Sequence, residues 1–120
     1  MPNDLCNFSL DIESKLQVAS RAAMEAGSVP AEIIDSVCVG NVIQSSADAA
    51  YLARHVALRV GCNLDTPSLT INRLCGSGFQ SIVNGAQEIM LGDSAVIMTG
   101  MRIVRIAHMS AYIACECECF

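Results

Sequence analysis

Apolar residues recur along this chain at two different spacings, and the two spacings predict alternating helices and strands. Residues 12–26 carry apolar side chains three or four positions apart, which predicts a helix begun at Asp11 and ended by Gly27. Residues 37–43 form a continuous β-rich run between polar segments, which is typical of a buried strand.

The alternation continues to about residue 100. It predicts, in chain order, a short helical piece within 29–34, a helix over 49–60 capped by Asp48 and ended by Gly61, a strand over 69–71, a helix over 76–91 ended by Gly92, and a strand over 95–99. Met90 and Met98 are predicted to lie in the core. The order α-β-α-β-α-β predicts an α/β fold in which helices pack on a parallel or mixed sheet.

Residues 101–120 break this pattern. Arg102, Arg105 and His108 stand among apolar residues without a clean period, and residues 115–120 alternate cysteine and glutamate before the final phenylalanine. We predict an unstructured, adventitious tail here and hypothesise an origin in intron read-through, a frameshift or a gene-model error.

The three tail cysteines offer a second interpretation, a metal site. On a strand they would share one face, but zinc sites usually combine a Cys-x2–4-Cys pair with a second pair elsewhere in the chain, and that arrangement is not present. We therefore predict no metal site. The three are Cys115, Cys117 and Cys119.

Composition restricts the class of protein. A chain of 120 residues is one domain by size, and its net charge of −5 argues against a nucleic-acid surface. No apolar run approaches the ~20 residues that a membrane-spanning helix needs. The first fourteen residues carry acids and no base, unlike a secretory signal or a mitochondrial transit peptide.

The seven cysteines do not predict a disulfide framework, because their number is odd and most are scattered through apolar segments. A reduced, intracellular setting is the expectation. Cys38 and Cys62 are predicted to fill the core.

Cys75 stands where the predicted strand 69–71 gives way to the predicted helix 76–91. The first N–H groups of a helix lack intrahelical partners and carry partial positive charge, so a thiolate at that point is stabilised and can act as a nucleophile. Gly76 and Gly78 allow a tight turn and a close approach of substrate. From position alone, a buried structural cysteine is an equal alternative.

Residues 72–81 read Asn-Arg-Leu-Cys-Gly-Ser-Gly-Phe-Gln-Ser, and this run closely resembles the nucleophile motif of the thiolase family. Residues 38–46 resemble the family's second strand and the loop that follows, and residues 50–61 resemble its next helix, in the mitochondrial 3-ketoacyl-CoA branch. The resemblance covers about residues 9–100. It implies the incomplete amino-terminal half of a thiolase-type domain, with residues 1–8 and 101–120 unmatched.

The resemblance implies that Cys75 is the catalytic nucleophile of an acyltransferase in fatty-acid β-oxidation. The cysteine would attack a 3-ketoacyl-CoA and hold the acyl group as a thioester until coenzyme A takes it. Coenzyme A is thus a substrate, and no tightly bound cofactor is expected. Arg73 would steer a phosphate of coenzyme A or, as the plainer interpretation, form a structural salt bridge.

In the family, a histidine base and a second cysteine belong to the carboxy-terminal half. Neither His55 nor His108 matches those motifs, and His55 is interpreted as a surface or interface residue. The expectation is therefore negligible turnover by this chain alone.

The resemblance also implies a homo-oligomer, a dimer or tetramer, located in the mitochondrial matrix, with cytoplasm and peroxisome as the alternative compartments. Two other functions stay open. One is a ketoacyl-synthase relative, which the run around Cys75 fits less well. The other is a non-catalytic thiolase fragment that only associates with a full-length subunit.

Overall fold

The computed structural model describes residues 12–43, 47–101 and 111–115. Within these ranges the structure contains three helices and four strands, with a single 3-10 turn ahead of β1 and another ahead of α2. In chain order they are α1 (Ile12–Gly27), the first 3-10 turn (Ala31–Ile33), β1 (Ser36–Gly40), the second 3-10 turn (Ala49–Tyr51), α2 (Leu52–Val60), β2 (Ser68–Ile71), α3 (Ser77–Leu91), β3 (Val96–Met101) and β4 (Ala111–Cys115).

The four strands form one mixed sheet in the order β2-β1-β3-β4. Strand β1 runs parallel to both β2 and β3, and Cys38 at its centre stands opposite Leu69 and Thr99. Strand β4 runs antiparallel to β3. The predicted α/β class with a mixed sheet and packed helices is confirmed.

Helices cover both faces of the sheet and create two packing layers. On one face, α1 and α2 enclose the main apolar core together with alternate strand residues such as Val37, Val39 and Met98. On the other face, α3 lies against β1 and β3. The long helix that follows Cys75 is thereby fixed to the two central strands.

Glycine ends all three helices, as the sequence predicts. Gly27 is the last residue of α1, whereas Gly61 and Gly92 follow α2 and α3 with φ of 96° and 78°. The amide of Gly92 donates back to the carbonyls of Glu88 and Ile89, which satisfies groups that the helix end would leave open.

The predicted helix over 49–60 is correct only from Leu52 onward, because its first turn is a 3-10 turn. Asp48 precedes that turn but makes no side-chain capping hydrogen bond. Its φ of −99° and ψ of 7° lie outside the extended region that capping side chains require. The predicted cap at Asp11 lies outside the described residues.

Helix α3 forms where predicted, but its apolar stripe does not face the sheet. The buried side of α3 consists of Ser77, Ser81 and Gly85. A Cβ at Gly85 would lie only 2.8 Å from Thr99 Cγ2, so the helix approaches β3 more closely than larger residues allow. Met90 is 85% exposed, and its predicted place in the core is wrong, whereas Met98 is buried as predicted.

The tail prediction is wrong for Ala111–Cys115, which pairs with β3 as strand β4 and includes Cys115 at its end. The pairing reaches as far as Val96 opposite Cys115, so this segment completes one side of β3. Residues 102–110 and 116–120 lie outside the described part, and the origin proposed for the tail stays a hypothesis.

No helix within the described ranges is long and apolar enough to cross a bilayer.

Candidate active site

Cys75 lies in the turn between β2, which ends at Ile71, and α3, which begins at Ser77. Its side chain is exposed. The structure therefore places the cysteine at the strand-to-helix junction that the sequence predicts, and the buried structural alternative does not describe it.

Backbone hydrogen bonds close the turn on both sides of Cys75. The amide of Gly76 donates to the carbonyl of Arg73 at 3.1 Å, and the amide of Ser77 donates to the carbonyl of Leu74 at 3.1 Å. Two of the N–H groups next to the nucleophile candidate thus hold its loop in shape. The amide of Gln80 donates to the carbonyl of Gly76 at 2.9 Å and starts the regular helix.

Leu74, directly before Cys75, has a φ of 50°. Few residues other than glycine adopt this left-handed region, because Cβ then crowds the backbone. Its side chain is 70% exposed, so apolar packing does not offset the cost of the conformation. No sequence signal indicates this feature, since leucine carries no preference for positive φ.

Two polar side chains enclose the turn. Asn72 Oδ1 accepts a hydrogen bond from the amide of Leu74 at 3.0 Å. The hydroxyl of Ser77 accepts from the amide of Arg73 at 2.8 Å and donates to the carbonyl of Leu74 at 2.7 Å. Sequence reasoning missed both roles, although a small hydroxyl residue at a helix start is a signal for such bonds.

Arg73 points its guanidinium along α3. Its Nη1 donates to Gln80 Oε1, and Gln80 Nε2 donates to Asn84 Oδ1 at 2.7 Å. Within the described ranges, the guanidinium of Arg73 thus donates to an amide oxygen, where the sequence suggested a carboxylate. Arg73 is exposed beside Cys75, which leaves its proposed role towards a phosphate as a prediction.

The two other described cysteine side chains have a different environment. Cys38 is fully buried in β1, where burial and then the negative charge of Glu88 raise the pKa of its thiol to about 11. Burial also raises the pKa of Cys62, in part against a backbone hydrogen bond that lowers it. Their predicted role as core residues is confirmed.

His55 lies on α2, away from the strand-to-helix turn in the chain. Its Nδ1 is 3.9 Å from Asp48 Oδ2, and its ring centroid is 6.4 Å from that of Tyr51. His108 lies outside the described residues. Across the described part of the chain, no group of three or more His, Cys, Asp and Glu side chains is placed to hold a metal ion.

A family model described as "Thiolase, N-terminal domain" matches residues 9–110. Among curated proteins, the mitochondrial 3-ketoacyl-CoA thiolase of Rattus norvegicus is 66% identical over 84 residues, which cover 70% of this chain and 21% of that protein. The Bos taurus protein of the same name is 64% identical over 99 residues, or 82% of this chain and 22% of the relative. The chain thus spans about a fifth of the length of these relatives.

Solved structures show the same relation. The human mitochondrial 3-ketoacyl-CoA thiolase in complex with CoA matches with a TM-score of 0.74 and 56% identity, over 77% of this chain and 23% of that one. The Acat5 thiolase of Ascaris suum matches with a TM-score of 0.73 at 23% identity, over 81% of this chain and 28% of that one, which shows the shared fold alone. Because the family match covers most of the chain and includes the turn that carries Cys75, the chain belongs to the thiolase family.

Proposed function

We propose that Cys75 is the nucleophile of an acyl transfer between a 3-ketoacyl-CoA and coenzyme A. The observation that carries the proposal is an exposed thiol at the β2-to-α3 turn of a chain in the thiolase family. Two relatives support the substrate class, since one is named a 3-ketoacyl-CoA thiolase and its human counterpart was solved with CoA.

In the proposed reaction, the Cys75 thiolate attacks the keto carbonyl carbon and forms a bond from sulfur to carbon. The bond between that carbon and the α-carbon breaks, and the α-carbon takes a proton as acetyl-CoA leaves. The shortened acyl chain stays on Cys75 as a thioester. The thiol of a second coenzyme A then attacks the carbonyl carbon of this thioester, and the bond from that carbon to the Cys75 sulfur breaks. The shortened acyl-CoA leaves, and the proton of the attacking thiol passes to Cys75 and regenerates the free cysteine.

The turn contributes position and electrostatics to this reaction. The start of α3 places partial positive charge near the thiolate and near the oxygen that becomes negative during attack. Coenzyme A takes part as a substrate, and no tightly bound cofactor is needed, because the cysteine itself carries the acyl group between the two steps.

We expect this chain alone to show negligible turnover. The resemblance assigns the histidine base and the second cysteine to family segments that this chain does not match, and the chain covers 21% of the rat relative. Removing a base from such a site costs about 10²–10⁴-fold in rate. Acylation of Cys75 without multiple turnovers is therefore the expected activity.

The test incubates the purified chain with acetoacetyl-CoA and maps acyl adducts by peptide mass spectrometry, with Cys75→Ser as the matched control. We expect an acyl group on Cys75 that added coenzyme A removes, together with a steady-state rate close to background. Acyl groups spread over the other cysteines, or none on Cys75 under conditions that acylate a full-length thiolase, would contradict the proposal.

We further propose the mitochondrial matrix as the compartment and oligomeric assembly as the functional state. The rat, bovine and human relatives carry "mitochondrial" in their names, which supports the compartment. Fluorescence microscopy of the tagged chain beside a matrix marker tests it, and a cytoplasmic or peroxisomal pattern would contradict it.

A second candidate function is a non-catalytic subunit that only associates with a full-length thiolase. The apolar outer face of α3 favours it, since Phe79 and Met90 are both exposed there. Co-purification with a full-length subunit in the absence of any acyl group on Cys75 would support this alternative over the first.

A further inference from the structure

The backbone at Leu74 is held in a conformation that leucine alone does not favour. Its φ of 50° is the left-handed region, and its exposed side chain makes no compensating burial. A residue in this state persists only where neighbouring contacts over-determine it. Here those contacts are hydrogen bonds made by the side chains of Ser77 and Asn72.

Ser77 holds Leu74 from the helix side. Its hydroxyl donates to the Leu74 carbonyl at 2.7 Å and accepts from the Arg73 amide at 2.8 Å, so a single oxygen joins the peptide unit before Arg73 to the peptide unit after Leu74. Ser77 is 0% exposed, which keeps water from replacing either bond.

Asn72 holds Leu74 from the strand side. Its Oδ1 accepts from the Leu74 amide at 3.0 Å, while its Nδ2 donates to the Val42 carbonyl at 3.2 Å. The second bond ties the turn to the segment after β1. The first residue of α3 also packs closely on the last residue of β1, because a Cβ at Gly40 would lie 2.9 Å from Ser77 Cβ.

We propose that Ser77 and Asn72 are positioning residues that keep Leu74 left-handed and thereby present Cys75 at the start of α3. The inference deepens the proposed function and rests on it, since it concerns the nucleophile of that reaction. Neither residue needs to touch substrate. Loss of either side chain lets Leu74 relax to negative φ, which moves Cys75 away from the helix start.

A packing role for Ser77 is the plainer explanation, because a small residue is needed where α3 meets Gly40. Ser81 provides the matched control. It is a buried hydroxyl one turn along α3, it donates to the carbonyls of Gly78 and Gly100 at 2.7 and 3.1 Å, and neither bond involves the turn.

The experiment measures the alkylation rate of Cys75 by iodoacetamide, resolved by peptide mass spectrometry, in the full chain. We expect Ser77→Ala to slow alkylation of Cys75 by about fivefold or more, the population change that the cost of a left-handed leucine implies. Ser81→Ala should leave the rate within about twofold of the original. The buried Cys38 and Cys62 report whether each variant remains folded.

The substitution Leu74→Gly distinguishes a positioning role of Ser77 from a packing role. Glycine adopts positive φ without steric cost, so Leu74→Gly alone should keep the rate, and Leu74→Gly combined with Ser77→Ala should restore it. A Ser77→Ala variant that reacts normally, or one that Leu74→Gly does not restore, would overturn the proposal. If Ser77→Ala exposes Cys38 and Cys62, the alkylation rate of Asn72→Ala is measured with and without Leu74→Gly. A normal rate in Asn72→Ala, or a slow rate that Leu74→Gly does not restore, would then overturn the proposal.

Alkylation needs no coenzyme A, so this experiment can fail independently of the acylation experiment. A restored alkylation rate with no acyl group on Cys75 in the original chain would sink the proposed function and leave the positioning role intact.

Discussion

Individual cysteine side chains in this chain differ in their chemistry because they differ in their surroundings. Cys75 is exposed in a turn, whereas Cys38 lies beneath α3 in the sheet and Cys62 is buried after α2. Burial disfavours the thiolate, which is the reactive form. Among the described cysteine side chains, the fold therefore separates one accessible thiol from two buried ones.

Labelling by iodoacetamide at pH 8 is expected to modify Cys75 long before Cys38 or Cys62. With a pKa of about 11, Cys38 is almost wholly protonated at that pH, and its burial excludes the reagent. Peptide mass spectrometry over time measures the order, and labelling in urea provides the unfolded reference. Equal rates for Cys38 and Cys75 in the folded protein would contradict the structure.

Stability should fall at alkaline pH in a way that depends on Cys38. Its pKa rises from 9.0 to about 11 on folding, because burial and then Glu88 disfavour the thiolate. Between these values the unfolded chain binds fewer protons than the folded one, so the free energy of unfolding decreases as pH rises, by up to about 1.4 kcal/mol per pH unit. Below pH 9 the contribution is fully present.

Urea denaturation of the original chain and of Cys38→Ala between pH 7 and pH 11 provides the measurement. The variant should lose less stability across the alkaline range, whatever its stability at pH 7. Parallel curves for the two proteins would show that Cys38 does not titrate as its environment requires.

The candidate site was predictable in outline at the residue scale. A cysteine between a β-rich run and a helical run, followed by two nearby glycines, is enough to predict a turn at Cys75. The left-handed Leu74 could not be predicted, because it follows from bonds made by Asn72 and Ser77 and not from any property of leucine.

Among the elements, helix and strand positions followed from apolar spacing, but the side of α3 that packs on the sheet did not. Periodicity shows that a helix has an apolar side, and it does not show which side meets the sheet. In α3 the small side, with Ser77, Ser81 and Gly85, packs on the strands and turns the apolar side outward.

The order of the strands in the sheet and the presence of strand β4 could not be predicted from the sequence either. The pairing of β1 with β3 joins segments about sixty residues apart, and no local signal specifies such a partner. The charged residues before β4 and the Cys-Glu alternation after it predict an irregular segment. Its pairing with β3 overrides that local composition.

Gly40→Ala is expected to destabilise the protein by about 1–3 kcal/mol, the usual cost of overpacking. A Cβ at Gly40 would lie 2.8 Å from the backbone carbon and oxygen of Ser77, which belong to a helix that cannot shift cheaply. Gly27→Ala is the control, because its Cβ meets only Val29 at an ordinary 3.4 Å. Urea denaturation should separate the two variants, and equal midpoints would show that β1 and α3 are not in close contact.

Asp35→Ala should destabilise the start of β3 by about 1–3 kcal/mol, the net contribution of two hydrogen bonds near the surface. Asp35 Oδ2 accepts from the amides of Ala95 and Val96 at 2.9 and 3.1 Å, and thereby joins the starts of β1 and β3. Asp35→Asn keeps a carbonyl oxygen and should lose less. Thermal unfolding measures both, with the exposed Asp65→Ala as control, and an unchanged melting temperature for Asp35→Ala would contradict this role.

At the scale of the whole molecule, the outward face of α3 is unusually apolar for the surface of a small protein. Four of its apolar side chains are exposed, namely Phe79, Ile82, Met90 and Leu91. Exposed apolar patches promote association in water. The net charge of −5 opposes it, although only one of the fifteen residues of α3, Glu88, carries a charge.

Met90→Glu should therefore reduce self-association at neutral pH while leaving stability nearly unchanged, since Met90 is 85% exposed. Val18→Glu is the matched control, an exposed apolar residue on α1 that lies outside this face. Analytical ultracentrifugation over a range of concentrations compares the three proteins. An equal effect of the two substitutions would show that net charge, and not the face of α3, governs association.

The parallel pairing at the centre of the sheet also bears on how the chain reaches this structure. Asp35 meets Val96 across 61 positions, and β1 gains its second neighbour only when that long loop closes. The chain loses the entropy of loop closure before the strand contacts form and stabilise it, so such topologies fold slowly, over milliseconds to seconds. During that interval a chain emerging from the ribosome would hold β1 half-paired, which makes the central strand a natural substrate for chaperones that bind extended apolar segments.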